Sequence, residues 1–333
     1  MIKINISNSI RNKLEEYHFN AIYNGLGKKK SIEKFINSEF SSTFKLEDFL
    51  IGNRDKTLKI VELYETFDNT KKTIIKEEFE YFINQYKQKL SSTDHKTKNY
   101  YDYNNERYNA YFLCKELNIN VCPYCNKNYM ITISDTTNNI FTRPTLDHFF
   151  DKATYPFLAL SLYNLIPSCH ICNYIKESKP FHIDTHIHPY FDDFNKIKKF
   201  NIDKRLLSLV NKDDEFNIIF ENKDGITTKE EKKANNHIED FALKALYNCH
   251  KDKVFELIDI SRAYNEASFE NLVNEFAKST QIFKDTNDVK RLMLCHHVED
   301  ENIDKRPLNK LIKDISEELG ILYKIQLATK EIK

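Results

Sequence analysis

Two Cys-x-x-Cys pairs, Cys122-Pro-Tyr-Cys125 and Cys169-His-Ile-Cys172, constrain this chain more than any other feature of it. The spacing lets two thiolates on one tight turn reach a single ion. Two such turns complete a tetrahedron of soft ligands suited to Zn²⁺. With all four positions filled by protein, that metal is structural and leaves no open position for a substrate. The alternatives are four ordinary buried thiols, or a redox pair. A redox pair accounts for one turn and not for its twin. The interval between the pairs exceeds that of a zinc ribbon, so a sizeable segment is inserted there.

The ligand reading requires reduced thiols. No stretch reaches the roughly 18–20 apolar residues that span a bilayer. The opening residues MIKINISNSIRNKLEEYHFN lack the apolar core of a signal peptide. A cytoplasmic chain without a membrane partner is therefore expected, in a compartment that keeps cysteines reduced. Cys114, Cys249 and Cys295 have no partner spacing and are expected to be buried. Lys+Arg and Asp+Glu both number 50, so no overall positive charge advertises nucleic acid. Residues 200–333 carry 22 basic and 26 acidic side chains, and residues 1–199 carry 28 and 24. That tilt decides nothing by itself.

Residues 1–120 read as a helical N-terminal region. Ser31 is a half-made N-cap, because Lys34 stands where a capping box needs an acid. From Thr70 to Leu90, Ile74, Ile75, Phe79, Phe82, Ile83 and Tyr86 form a helical stripe, and Asn104 to Leu117 repeats the pattern. Residues 121–200 differ in texture. Tyr129 to Ser134 alternates like a strand, 135–139 reads as a turn, and Ile140 starts a second extended run. Residues 201–333 read as mostly helical, after a short hairpin suggested by Glu215 to Phe220 and the Asn222-Lys-Asp-Gly225 turn. The final helix has Pro307 in its first turn, Leu308, Leu311, Ile312, Ile315 and Leu319 on one face, and Gly320 as its stop.

Between and just after the cysteine pairs lie Asp147-His148, Asn164-Leu165 and Cys172-Asn173-x-x-Lys176. In this order, interleaved with two Cys-x-x-Cys turns, the set resembles the HNH, or ββα-metal, endonucleases. The resemblance implies an α+β fold, predominantly α-helical, with an embedded zinc-knuckled module of two strands and a helix. It implies hydrolysis of nucleic-acid phosphodiesters, DNA more than RNA. A weaker resemblance runs through HPYFDDF (188–194) to RPLNKLIKDI, similar to the tail of HNH proteins of bacterial antiphage systems such as the Septu type. It implies a defence effector working with an SMC- or ABC-like ATPase. A zinc-dependent module that binds nucleic acid or a protein partner without cutting remains the alternative.

Phosphodiester hydrolysis needs a base for the water and a cation for the developing charge. His148 is the base, since imidazole alone titrates near neutrality unperturbed, and it is expected to be exposed. Asp147 and Asn173 offer hard oxygen ligands, a sparse set suited to Mg²⁺ or Mn²⁺. Strand alternation would turn Asp147 away from His148; the resemblance implies that both face one phosphate. Asn164 matches the family's central Asn, implying that it holds the loop and orients the imidazole. Where the family name implies a last His, this chain has Asn173. Lys176, Lys152 and Arg143 could contact phosphates, although surface cations explain Lys152 and Arg143 equally well. His170 is read as a non-ligand. His182, His186 and His188 could hold a metal, and are read as structural.

Overall fold

The computed structural model describes residues 1–92, 100–135, 137, 140–203, 215–280 and 285–329. The fold is α+β: 55% of the chain is helical, and the strands pair in small antiparallel sheets. The chain divides into two compact units, each discontinuous in sequence. One comprises Ile4–Ile119 with Met130–Asp192, and the other Met1–Lys3, Asn120–Tyr129 and Asp193–Lys333.

The first unit opens with five helices, α1 (Asn8–Gly25), α2 (Lys29–Glu39), α3 (Leu46–Ile51), α4 (Arg54–Glu65) and α5 (Asn69–Gln85). Three begin at side-chain caps. Ser7, Asn53 and Asp68 accept the backbone N–H three residues on, which satisfies an otherwise orphaned donor. Ser31 is no cap: α2 starts two residues earlier, so Ser31 lies inside it. The apolar stripe of α5 places Ile75, Phe79 and Phe82 in the core and leaves Ile74 at 47% exposure. Phe79 stacks on Phe49, and Phe40 and Phe49 pack edge-on against Phe157. This cluster fixes the Pro156–Leu158 turn, a 3₁₀ helix in the loop that borders the candidate site.

Helix α5 widens into one π-helical turn, Tyr86–Leu90, where the Ser91 N–H reaches back five residues to Tyr86 O. A hairpin follows, β1 (Tyr101–Tyr103) with β2 (Glu106–Tyr108). It corrects the expectation of continuous helix across 1–120. Asn104 and Asn105 both have positive φ, 52° and 61°, the conformation a two-residue hairpin turn demands and Asn tolerates. The repeated stripe therefore becomes helix only in α6 (Ala110–Leu117), capped by Asn109. Next come the pair β3 (Ile133–Asp135) and β4 (Ile140–Thr142); the turn expected between them lies mostly outside the described residues. Then β5 (Thr145–His148) pairs antiparallel with β6 (Leu165–Ser168), from Thr145 opposite Ser168 to His148 opposite Leu165. Helix α7 (His170–Lys176) follows directly.

In the second unit, β7 (Lys198–Ile202) pairs with β8 (Ile218–Asn222). The hairpin expected around 215–225 is thus corrected: the partner strand precedes it. The Asn222–Gly225 turn, with Gly225 at φ 74°, leads instead into α8 (Thr228–Asp240), which starts at a Thr227–Glu230 capping box. Helices α9 (Leu243–Asn248), α10 (Lys251–Ala263), α11 (Glu266–Thr280), α12 (Thr286–Leu294), α13 (Asn309–Glu318) and α14 (Ile321–Ala328) complete it. Gly320, at φ 68°, ends α13 as expected but does not end the helical structure, because α14 follows at once. Among the described residues no helix is long and apolar enough to cross a membrane.

Candidate active site and metal centre

The Cys122–Cys125 turn is built as a knuckle. The Asn126 N–H donates to the Cys122 carbonyl at 2.8 Å and the Cys122 N–H to Asn128 O at 3.0 Å. Asn126 takes φ 50° to close it. Its buried amide spans two segments, donating to Ile303 O at 3.1 Å and accepting from the Lys310 N–H at 3.0 Å. The Tyr247 hydroxyl donates to Cys125 O at 2.6 Å, and Tyr124 stacks on Phe241 at 4.5 Å. The second pair sits at the start of α7, where Cys169 is the N-cap and its sulfur accepts the Cys172 N–H at 3.4 Å.

The four sulfurs of Cys122, Cys125, Cys169 and Cys172 lie within 4.8 Å of one another, and all four residues are buried as free cysteines. The four cysteines could hold a metal ion. Exposed His170 is not part of the group. Nor do His182, His186 and His188 form such a group among the described residues. His186 stacks on Phe181 at 4.1 Å, and His188 packs between Phe149 and Phe191. Cys114 is buried, and burial pushes its thiol up to about 12, which makes it inert. Cys249 and Cys295 correct the expectation of burial. Both are exposed at helix ends, where each thiol donates to a carbonyl of the preceding turn.

Beside α7 opens a cleft of about 580 Å³ in the first unit. Asp147 and His148 from the end of β5, Asn173 from α7, and Arg143 and Lys152 all line it. Alternation along β5 does not separate Asp147 from His148, because His148 is the last paired residue and both reach the same cleft. The imidazole is not exposed as expected. It is 5% exposed, with Tyr86 edge-on at 4.5 Å, and its Nε2 lies 3.0 Å from the Ala159 carbonyl. A carbonyl only accepts, so Nε2 carries the proton and Nδ1 has the lone pair. Nδ1 has no hydrogen-bond partner among the described residues. Burial first, then the Lys152 charge, lowers the imidazole to about 3, so the ring is neutral at physiological pH.

Asn164 stands behind the cleft, 2% exposed. Its Oδ1 accepts the Phe150 N–H at 2.7 Å, and its Nδ2 donates to Phe150 O at 3.1 Å and to Leu158 O at 3.0 Å. One amide thereby clamps both ends of the loop whose next carbonyl, Ala159, holds the imidazole. Lys176 departs from the expectation that it meets substrate. It is 0% exposed, and its ammonium donates to Asp147 Oδ1 at 3.1 Å and to His148 O at 2.6 Å. Burial between α7 and β5 turns it into an internal tie. Arg143 lines the cleft with its guanidinium committed to Pro144 O and to Ser91 O and Oγ. Lys152 is half-buried there.

Sequence reasoning missed Tyr86, Asp151, Tyr174 and Glu177, which also line the cleft. Tyr86 arrives from a helix sixty residues away, on the π-helical turn, and its spacing in the stripe marked it only as core. Glu177 ends α7 at φ 47°, and nothing local to Lys176-Glu177 signals that geometry. No family model, curated protein or solved structure matches the chain.

Proposed function

We propose that this chain is a metal-dependent endonuclease of the HNH type, with the four-cysteine group as its structural zinc site. The observation that carries the reading is the placement of His148. Its Nε2 is committed to a backbone carbonyl, which leaves the lone pair on Nδ1, and Asp147 and Asn173 line the same cleft. With the lone pair on Nδ1 the imidazole can accept a proton from water as that water attacks phosphorus; at about 3 it is a weaker base than an ordinary imidazole, so the reading rests on its place in the cleft and not on its titration. The succession β5, β6, α7 also matches the two strands and a helix that the resemblance implies.

Asp147 and Asn173 are the residues that would hold a divalent cation, oxygen donors fitting Mg²⁺ or Mn²⁺. Bound there, such an ion supplies neutralisation of charge on the phosphate and leaving oxygen. The protein's own part is to fix the imidazole through Ala159 and to brace that loop through Asn164. Lys176 holds Asp147 against α7, and Lys152 adds the cleft's half-buried positive charge. The wider reading, a defence effector whose ATPase partner controls cutting, rests on the resemblance of residues 188–194 and of the RPLNKLIKDI segment.

The test is cleavage of plasmid, single strands and tRNA by the purified chain with Mg²⁺, Mn²⁺ or excess EDTA. Cleavage with either ion and none in EDTA is expected, and Asp147→Ala should abolish it. Cleavage that persists in EDTA contradicts the proposed chemistry. A well-folded, zinc-loaded chain that binds nucleic acid and never cuts it would restore the non-cleaving alternative.

A further inference from the structure

Tyr174 is the most exposed large hydrophobic side chain of the first unit, at 76%. It follows Asn173 on α7 and lines the same cleft. Among the described residues its ring makes no aromatic contact, hydrogen bond or ion pair. Three residues earlier, on the preceding turn of the same face, Ile171 is 44% exposed. A bare aromatic ring beside a cleft that holds phosphate-directed chemistry has an obvious complement in the π-face of a nucleobase.

The charges in the cleft narrow the substrate. Its cationic lining residues are Arg143 and Lys152, against Asp147, Asp151 and Glu177. The Arg143 guanidinium is already engaged by Pro144 and Ser91. A duplex brings two phosphate backbones, which need several cations to neutralise them, and this lining does not supply them. In a duplex, moreover, both faces of each base are covered by neighbours, so a ring in the groove meets only base edges. An unpaired base offers its face, and stacking on it is sequence-tolerant and adds affinity that the sparse charges do not.

Resting on the nuclease reading above, we infer that the cleft takes unpaired nucleotides, with the Tyr174 ring stacked on the base adjoining the scissile phosphate. Tyr174 is then a specificity-determining residue, selecting single strands or locally opened duplex over intact helix.

The experiment uses full-length His148→Asn protein, silenced for cutting, in Mg²⁺. Fluorescence anisotropy compares a labelled single-stranded oligonucleotide with the same sequence as duplex. The single strand should bind more tightly, and Tyr174→Ala should weaken it by about 5- to 150-fold, while Tyr174→Phe retains most of the affinity. Quenching of 2-aminopurine in the strand should disappear with Tyr174→Ala and persist with Tyr174→Phe. Circular dichroism checks that each variant is folded, which the exposure of Tyr174 favours. Equal or tighter duplex binding, unchanged affinity in folded Tyr174→Ala, or no binding of either form would each overturn the inference. Single-strand binding through Tyr174 in a chain that never cuts removes the nuclease reading alone. Cleavage that ignores Tyr174→Ala, with duplex preferred, removes this inference alone.

Discussion

An imidazole with one nitrogen tied to a backbone carbonyl is only as well placed as the loop that carries the carbonyl. Asn164 makes three hydrogen bonds across that loop, all buried. Asn164→Ala leaves the Phe150 N–H and carbonyl without this partner, at about 1–3 kcal/mol for each unsatisfied group and less than additively, while Leu158 O keeps the Ser161 N–H at 3.1 Å. We expect a loss of roughly 3 kcal/mol in urea unfolding together with slower cleavage; an unchanged midpoint would show that water replaces the amide. His18 gives a second residue-scale outcome. It is fully buried between the Tyr108 hydroxyl and Leu160 O, and burial lowers it from 6.5 to about 4. As pH falls the unfolded chain takes up this proton first. The stabilisation is therefore complete above pH 6.5 and is lost between 6.5 and about 4, on the order of 3 kcal/mol from this group. His18→Asn should flatten the dependence of the urea midpoint on pH across that window, and an equal slope in the variant would contradict the assignment.

At the scale of elements, the Cys169 position separates two roles that one residue plays. Its sulfur caps α7 and belongs to the four-cysteine group. Serine is a strong N-cap, so Cys169→Ser keeps the cap and removes one metal ligand. With a zinc site whose binding energy is folding energy, that variant should lose metal by elemental analysis and at least a few kcal/mol of stability. Retention of full stability with no zinc in the parent protein would reduce the group to ordinary buried thiols. The cysteines were legible through their spacing, and Asp147, His148, Asn164 and Asn173 only through the resemblance that their order among those cysteines carries. The amphipathic helices α5 and α13 were legible through their periodicity. What stayed hidden depended on backbone geometry or distance. Asn104 and Asn105 turn β1 into β2 by adopting positive φ, which no apolar pattern records. The partner of β8 lies across residues 203–217, and the burial of Lys176 follows from packing of α7 against β5.

For the whole molecule, a formal charge of zero means that long-range attraction does little to gather nucleic acid. On the nuclease reading proposed above, function depends on one cleft, where a buried neutral imidazole, an acid, an amide and a half-buried lysine converge. The imidazole is the group whose loss should separate chemistry from structure most cleanly. Because it is buried, alanine would leave a cavity and the Ala159 carbonyl unpaired; asparagine keeps a donor in a smaller side chain. The direct measurement is the single-turnover cleavage rate of His148→Asn beside the parent protein, at saturating enzyme in Mg²⁺, with thermal stability and zinc content recorded on the same samples. A rate lowered about a hundredfold to ten-thousandfold, with zinc retained and substrate still bound, is the predicted result. Near-parental cleavage by a folded, zinc-loaded His148→Asn protein would contradict it.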